Sequence, residues 1–127
     1  MHSTVKNLLD IQDNIKVKLN EININHYPKI IAVSKTFKID QISPLIDHGH
    51  IDFGENKVQE AVEKWTDIKK KNSQLRLHMI GKLQTNKVKF CFPLFDFIHG
   101  LDSLKLAEKI ANEQVKKKFR PKIFIQV

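Results

Sequence analysis

Cysteine is nearly absent: Cys91 stands alone in 127 residues, which excludes a disulfide framework and fits a reducing compartment. Glycine and proline number four each, too few for a collagenous or low-complexity chain. Arginine is scarcer still, with only Arg76 and Arg120 among 22 basic residues. The net charge of +8 would suit an acidic partner, but base and phosphate recognition leans on the planar guanidinium fork, so the shortage argues against a nucleic-acid partner. No apolar run approaches the ~20 residues of a membrane span, and the start Met1-His2-Ser3-Thr4-Val5-Lys6-Asn7 has no apolar signal core. A cytoplasmic protein without a membrane partner is expected. What remains, 41% hydrophobic and 28% charged, is globular composition with room for one domain.

Periodicity divides the chain into a leading helix, 1–24, and strand-helix repeats over 29–127. Val5, Leu8, Leu9, Ile15, Leu19 and Ile22 recur at three- and four-residue steps behind a Ser3 or Thr4 cap, which predicts an amphipathic helix. Lys29 to Lys35 is too short for a helix and apolar on both faces, the pattern of a buried parallel strand. A helix then starts near Asp40 or Ser43-Pro44 and stops at Gly49, followed by a strand over Ile51 to Gly54 and a helix over Glu55 to Lys71. Leu75 to Ile80 predicts a third strand, Gln84 to Phe90 a short helix and Phe95 to His99 a fourth strand. A helix burying Leu106, Ala107, Ile110 and Ala111 and a fifth strand, Lys122 to Val127, complete the reading. Such alternation requires parallel pairing through right-handed crossovers. A helix ahead of the first strand, with no glycine-rich phosphate turn after it, favours a (β/α) barrel over a doubly wound sheet. A full barrel takes about 250 residues, so the expected architecture is α/β, a partial TIM-type barrel with about five of eight strands in a single incomplete domain.

Ligands in such folds gather at the carboxyl ends of the strands, here Ser34-Lys35-Thr36, Gly54-Glu55-Asn56, Ile80-Gly81-Lys82 and Gly100-Leu101-Asp102-Ser103. Lys35 follows the most apolar strand, where a low-dielectric wall would disfavour its ammonium form and leave an amine able to attack a carbonyl carbon. Most lysines sit in water, so position alone does not assign a role. Asn56 has two readings, ligand contact or cap of the following helix. His78 and His99 fall on neighbouring strands without a third ligand, and are read as packed, hydrogen-bonded histidines rather than a metal pair. Cys91, in Phe90-Cys91-Phe92, reads as a small buried hydrophobe, and Lys69-Lys70-Lys71 and Lys116-Lys117-Lys118 as solvated helix ends.

Four ordered segments carry a resemblance. They are Ile31-Ala32-Val33-Ser34-Lys35, Asp52 through Glu60 (DFGENKVQE), His78 through Lys87 (HMIGKLQTNK) and Ile98-His99-Gly100-Leu101-Asp102-Ser103. Together they resemble the motifs of the pyridoxal phosphate homeostasis family, also called the proline synthetase co-transcribed homologues, in order and spacing from about Lys29 to Val127. The resemblance implies the amino-terminal half of a barrel like the amino-terminal domain of alanine racemase, holding pyridoxal 5′-phosphate as a Schiff base on Lys35 with Asn56 beside it. It implies a role in cofactor homeostasis and no catalytic activity. Leu77, Lys57, Gly100 and Cys91 depart from the family's usual residues, and its phosphate cup belongs to the last strands, which have no counterpart here. Weakened binding is therefore expected, with self-association or a complementing C-terminal half as partner. The alternatives are a truncated, non-binding remnant and a racemase-like enzyme. The latter needs a second acid or base opposite Lys35, whereas the only tyrosine, Tyr27, precedes the first strand.

Overall fold

The computed structural model describes all 127 residues, in two compact units. The first unit comprises Met1–Ile30 and Phe37–His50. Its helix α1, Ser3–Glu21, begins earlier than expected because His2 supplies the cap: its ring accepts from the Thr4 backbone N–H at 3.2 Å, leaving Ser3 and Thr4 inside the helix. Val5 and Leu8 carry the burial, while Ile22 is exposed. Helix α2, Ile39–His48, packs on α1 and buries Ile42 and Leu45. Pro44 lies within this helix rather than at its start. Gly49 ends it at φ 102°, a left-handed cap that glycine adopts without a Cβ penalty.

The second unit, Ile31–Thr36 with Ile51–Val127, is built on one sheet. Its strands are β1 (Ala32–Val33), β2 (Asp52–Glu55), β3 (Arg76–Met79), β4 (Phe97–Leu101) and β5 (Lys122–Ile125). All neighbours are parallel and the order is β1-β2-β3-β4-β5, without the reversal that marks a doubly wound sheet. The crossovers carry α3 (Val58–Lys71), a 3₁₀ turn (Thr85–Lys87) leading into the single-turn α4 (Val88–Cys91), and α5 (Leu104–Lys117).

Register separates two faces of the sheet. Phe53 pairs with Leu77, and Met79 with Ile98; these side chains are fully buried, together with Ala61 and Trp65 of α3 and Leu106 of α5. The Phe53 and Trp65 rings meet at 4.9 Å. Through Val33–Gly54, Gly54–His78 and His78–Phe97, the opposite face carries a mixture of polar and aromatic groups. That face is partly open, with Val33 47% and Phe124 52% exposed.

Several expectations are corrected. The first strand is two residues long and not buried on both faces, because as an edge strand it pairs only with β2 and leaves Val33 open. Helix α3 starts at Val58 because β2 continues through Glu55. Ala111 is exposed, and β5 stops at Ile125. Lys69 is not solvated: its ammonium pairs with Asp96 Oδ2 at 2.6 Å, and the same oxygen accepts from the Leu77 N–H at 2.8 Å.

Candidate functional site

The carboxyl ends of the strands lie close because glycine lets them. A Cβ at Gly81 would stand 2.7 Å from Asn56 Cβ and 2.9 Å from its carbonyl oxygen, and one at Gly100 would stand 2.9 Å from the Gly81 carbonyl oxygen. These steps link the ends of β2, β3 and β4. Val33 pairs with Gly54, so Lys35 and Asn56 each lie two residues past a register pair on adjacent parallel strands. Asn56 is half-buried and does not cap α3; that place belongs to Lys57, which makes no side-chain cap bond. At the end of β4, Ser103 caps α5, its hydroxyl oxygen accepting from the Leu106 N–H at 3.2 Å.

Lys35 itself is exposed in the turn after β1, so the apolar surroundings expected for its stem are not found. Its neighbours are held firmly. Ser34 is buried; its N–H donates to the Gly54 carbonyl at 2.9 Å and its hydroxyl to Glu55 Oε2. The Lys64 ammonium donates to the Ser34 carbonyl at 2.7 Å. Beyond Lys35, the Thr36 N–H donates to both carboxylate oxygens of Glu60, at 3.2 and 3.1 Å. Glu55, which the sequence marks only as a strand-end residue, is fully buried and accepts from Ser34, Trp65 Nε1 at 3.2 Å and Lys64 at 3.2 Å. All these partners are donors, as an ionised carboxylate requires. The readable signal was a lysine, Lys64, beside Trp65 on the buried stripe of a helix.

On the more open face a second polar chain runs across three strands. Arg76 donates to Asp52 Oδ2 at 2.7 Å, His78 Nε2 lies 2.8 Å from Asp52 Oδ1, and His78 Nδ1 lies 3.0 Å from His99 Nε2. The expected hydrogen-bonded histidines are thus present. Burial alone would push the Asp52 carboxyl up, but its bonds to Arg76 and His78 outweigh this and hold it below the usual carboxylate range. Burial holds His78 below the ordinary histidine value against the pull of Asp52, and burial with the adjacent His78 does the same to His99. Above pH 6.5, where both rings are neutral, Asp52 as an acceptor requires His78 Nε2–H to donate to it, which leaves His78 Nδ1 to accept from His99 Nε2–H. Phe97 stacks on His78 at 4.2 Å and Phe124 on His99 at 4.7 Å. No cluster of three or more histidine, cysteine or acidic side chains is arranged to hold a metal. Cys91 is buried, which pushes its thiol up to about 12 and leaves it a poor nucleophile.

No protein-family model matches the chain. Curated relatives do. A pyridoxal phosphate homeostasis protein of Pasteurella multocida is 40% identical over 110 residues, covering 86% of this chain and 47% of that protein. One from Buchnera aphidicola is 37% identical over 126 residues, covering 93% and 55%. Among solved structures, PipY of Synechococcus elongatus, determined without PLP and with PLP bound, is similar with a TM-score of 0.70 and 34% identity in both forms. The PLP-free form is covered over 86% of this chain and 51% of that one. A protein from Bifidobacterium adolescentis matches with a TM-score of 0.80 at 27% identity, over 90% and 50%. The chain spans about half the length of the curated relatives it matches. It is a homologue of the pyridoxal phosphate homeostasis proteins, corresponding to about half of one.

Proposed function

We propose that the chain binds pyridoxal 5′-phosphate as a Schiff base on Lys35, with Asn56 beside the cofactor, and that it serves cofactor homeostasis without catalysing a reaction. The observation that carries this reading is the exposed Lys35 amine on a firmly held strand-end turn, next in register to Asn56, in a chain whose relatives are pyridoxal phosphate homeostasis proteins. The residues present suit the aldehyde end of the cofactor better than its phosphate. Arg76 opens β3 and is paired with Asp52, and Arg120 precedes β5, so both arginines lie at the amino ends of strands and neither supplies a fork at the carboxyl ends. Losing charge-assisted phosphate bonds of roughly 1.5–3 kcal/mol each lowers affinity by orders of magnitude. Absorbance titration of the chain and of Lys35→Ala with pyridoxal and with pyridoxal phosphate tests this. A Lys35-dependent signal with little phosphate preference is expected; an unchanged signal in Lys35→Ala overturns the assignment, and a large phosphate preference overturns the weak-site account.

The sheet is read further as five strands of an eight-stranded barrel within one incomplete domain of a cytoplasmic protein. Supporting this are the unreversed strand order, edge strands β1 and β5, and the exposure of Val33, Phe124 and Ile125. No helix is long and apolar enough to cross a membrane. A second copy or a complementing half would cover those edges. Light scattering across protein concentrations should show self-association, and a concentration-independent monomer with a cooperative thermal transition would contradict the half-barrel.

A further inference from the structure

We propose that Glu55 and Glu60, acting with Lys64, are positioning residues that fix the Ser34-Lys35-Thr36 turn and so present the Lys35 amine in one geometry. The inference rests on the reading of Lys35 as the aldehyde-binding residue. It starts from a fully buried carboxylate, Glu55, beneath a helix, on a face where its sheet neighbours Phe53, Leu77 and Met79 are apolar. A buried ion pair such as Glu55–Lys64, at 3.2 Å with side chains 0% and 10% exposed, gains little over apolar packing of the same volume. Stability alone therefore does not account for it.

What the network touches is the turn. Glu55 holds the Ser34 hydroxyl, Lys64 holds the Ser34 carbonyl, and Glu60, 4.0 Å from Lys64, takes the Thr36 N–H with both oxygens. Thr36 sits at φ 66°, the left-handed region that a β-branched residue seldom enters. Such a conformation persists only where the surroundings over-determine it, and strain of this kind gathers at functional positions. The Thr36 hydroxyl also donates to the Lys35 carbonyl at 2.6 Å. Ser34 and Thr36 are thus pinned on both sides of Lys35, whose own side chain enters none of these bonds. A fixed backbone carrying a free amine reduces the orientational freedom lost when that amine meets a carbonyl carbon.

The test is the rate of pyridoxal phosphate attachment at Lys35, read after borohydride reduction by peptide mapping and normalised to label on exposed lysines such as Lys70. Glu60→Ala should slow Lys35 labelling about tenfold with the thermal midpoint nearly unchanged, and Glu60→Gln, which keeps an acceptor for Thr36, should restore most of the rate. Glu55→Gln places an amide donor among donors and should slow labelling at least as much. Because Glu60 is partly exposed, its variants decide the matter even where Glu55→Gln fails to fold. Wild-type Lys35 rates in folded Glu60→Ala overturn the positioning role while leaving Lys35 as the attachment site. Total label unchanged in Lys35→Ala overturns the underlying reading instead.

Discussion

Replacing Gly81 by alanine probes the closeness of the strand ends directly. The added Cβ would lie 2.7 Å from Asn56 Cβ, 2.9 Å from its carbonyl oxygen and 3.0 Å from its Cα, where ordinary contact begins at 3.4 Å. Two of the three obstructing atoms are backbone, so no rotamer change relieves the clash and the ends of β2 and β3 must separate by roughly 0.7 Å. Overpacking of this kind costs about 1–3 kcal/mol. The neighbouring bond from the Ile80 N–H to the Glu55 carbonyl, 3.0 Å long, would stretch toward loss at a further cost of roughly 1 kcal/mol. Gly81→Ala should therefore destabilise by about 2–4 kcal/mol, or roughly 8–16 °C in thermal midpoint for a chain of this size. Gly54→Ala meets only side-chain methyls of Ile31 and Ile80 at 3.0–3.3 Å, with no backbone atom among them, so a shift of a few tenths of an ångström relieves the contact. Its cost should stay below about 1.5 kcal/mol. Gly49→Ala meets nothing within 4 Å but must hold φ 102°, a strain of about 1–2 kcal/mol. Urea unfolding of the three variants gives the ranking, and a Gly81→Ala protein as stable as the parent, or less affected than Gly54→Ala, would refute the close-approach argument.

The histidine chain makes stability depend on pH. His78 and His99 titrate lower in the folded chain than their ordinary 6.5, so their contribution is complete above pH 6.5 and is lost as pH falls toward the depressed folded values. The unfolding free energy from urea titrations between pH 7.5 and 5.5 should fall with a slope of up to about 1.4 kcal/mol per pH unit for each histidine, and His99→Asn should flatten the slope. Asp52 adds a separate loss below its ordinary 3.8. Cys91 should resist thiol reagents at pH 8 until the chain is unfolded by denaturant; rapid native labelling would contradict its burial. Ser103→Ala removes the α5 cap and should cost about 1 kcal/mol in the same unfolding assay.

Much of this architecture was legible because alternating short apolar runs and helical stripes are local signals. Gly49 ended its helix where its chemistry predicts. Strand β1 misled because Ile30, Ile31 and Val33 are as apolar as a buried strand, yet burial depends on neighbours that local sequence does not supply. The Glu55 network was missed for a related reason: Ser34, Glu55, Glu60 and Lys64 meet only once β1 and β2 are in register and α3 has folded back over them. Lys69 shows the same limit, since a lysine in the last turn of a helix looks solvated until Asp96 of a later segment reaches it.

Everything functional in this account turns on Lys35. Incubating the chain with pyridoxal phosphate, reducing with borohydride and mapping the modified peptides by mass spectrometry tests it most directly. Label concentrated on Lys35 and removed by Lys35→Ala is the expected result. Label spread across Lys70, Lys71 and Lys116 to Lys118, with no preference for Lys35, would contradict the account.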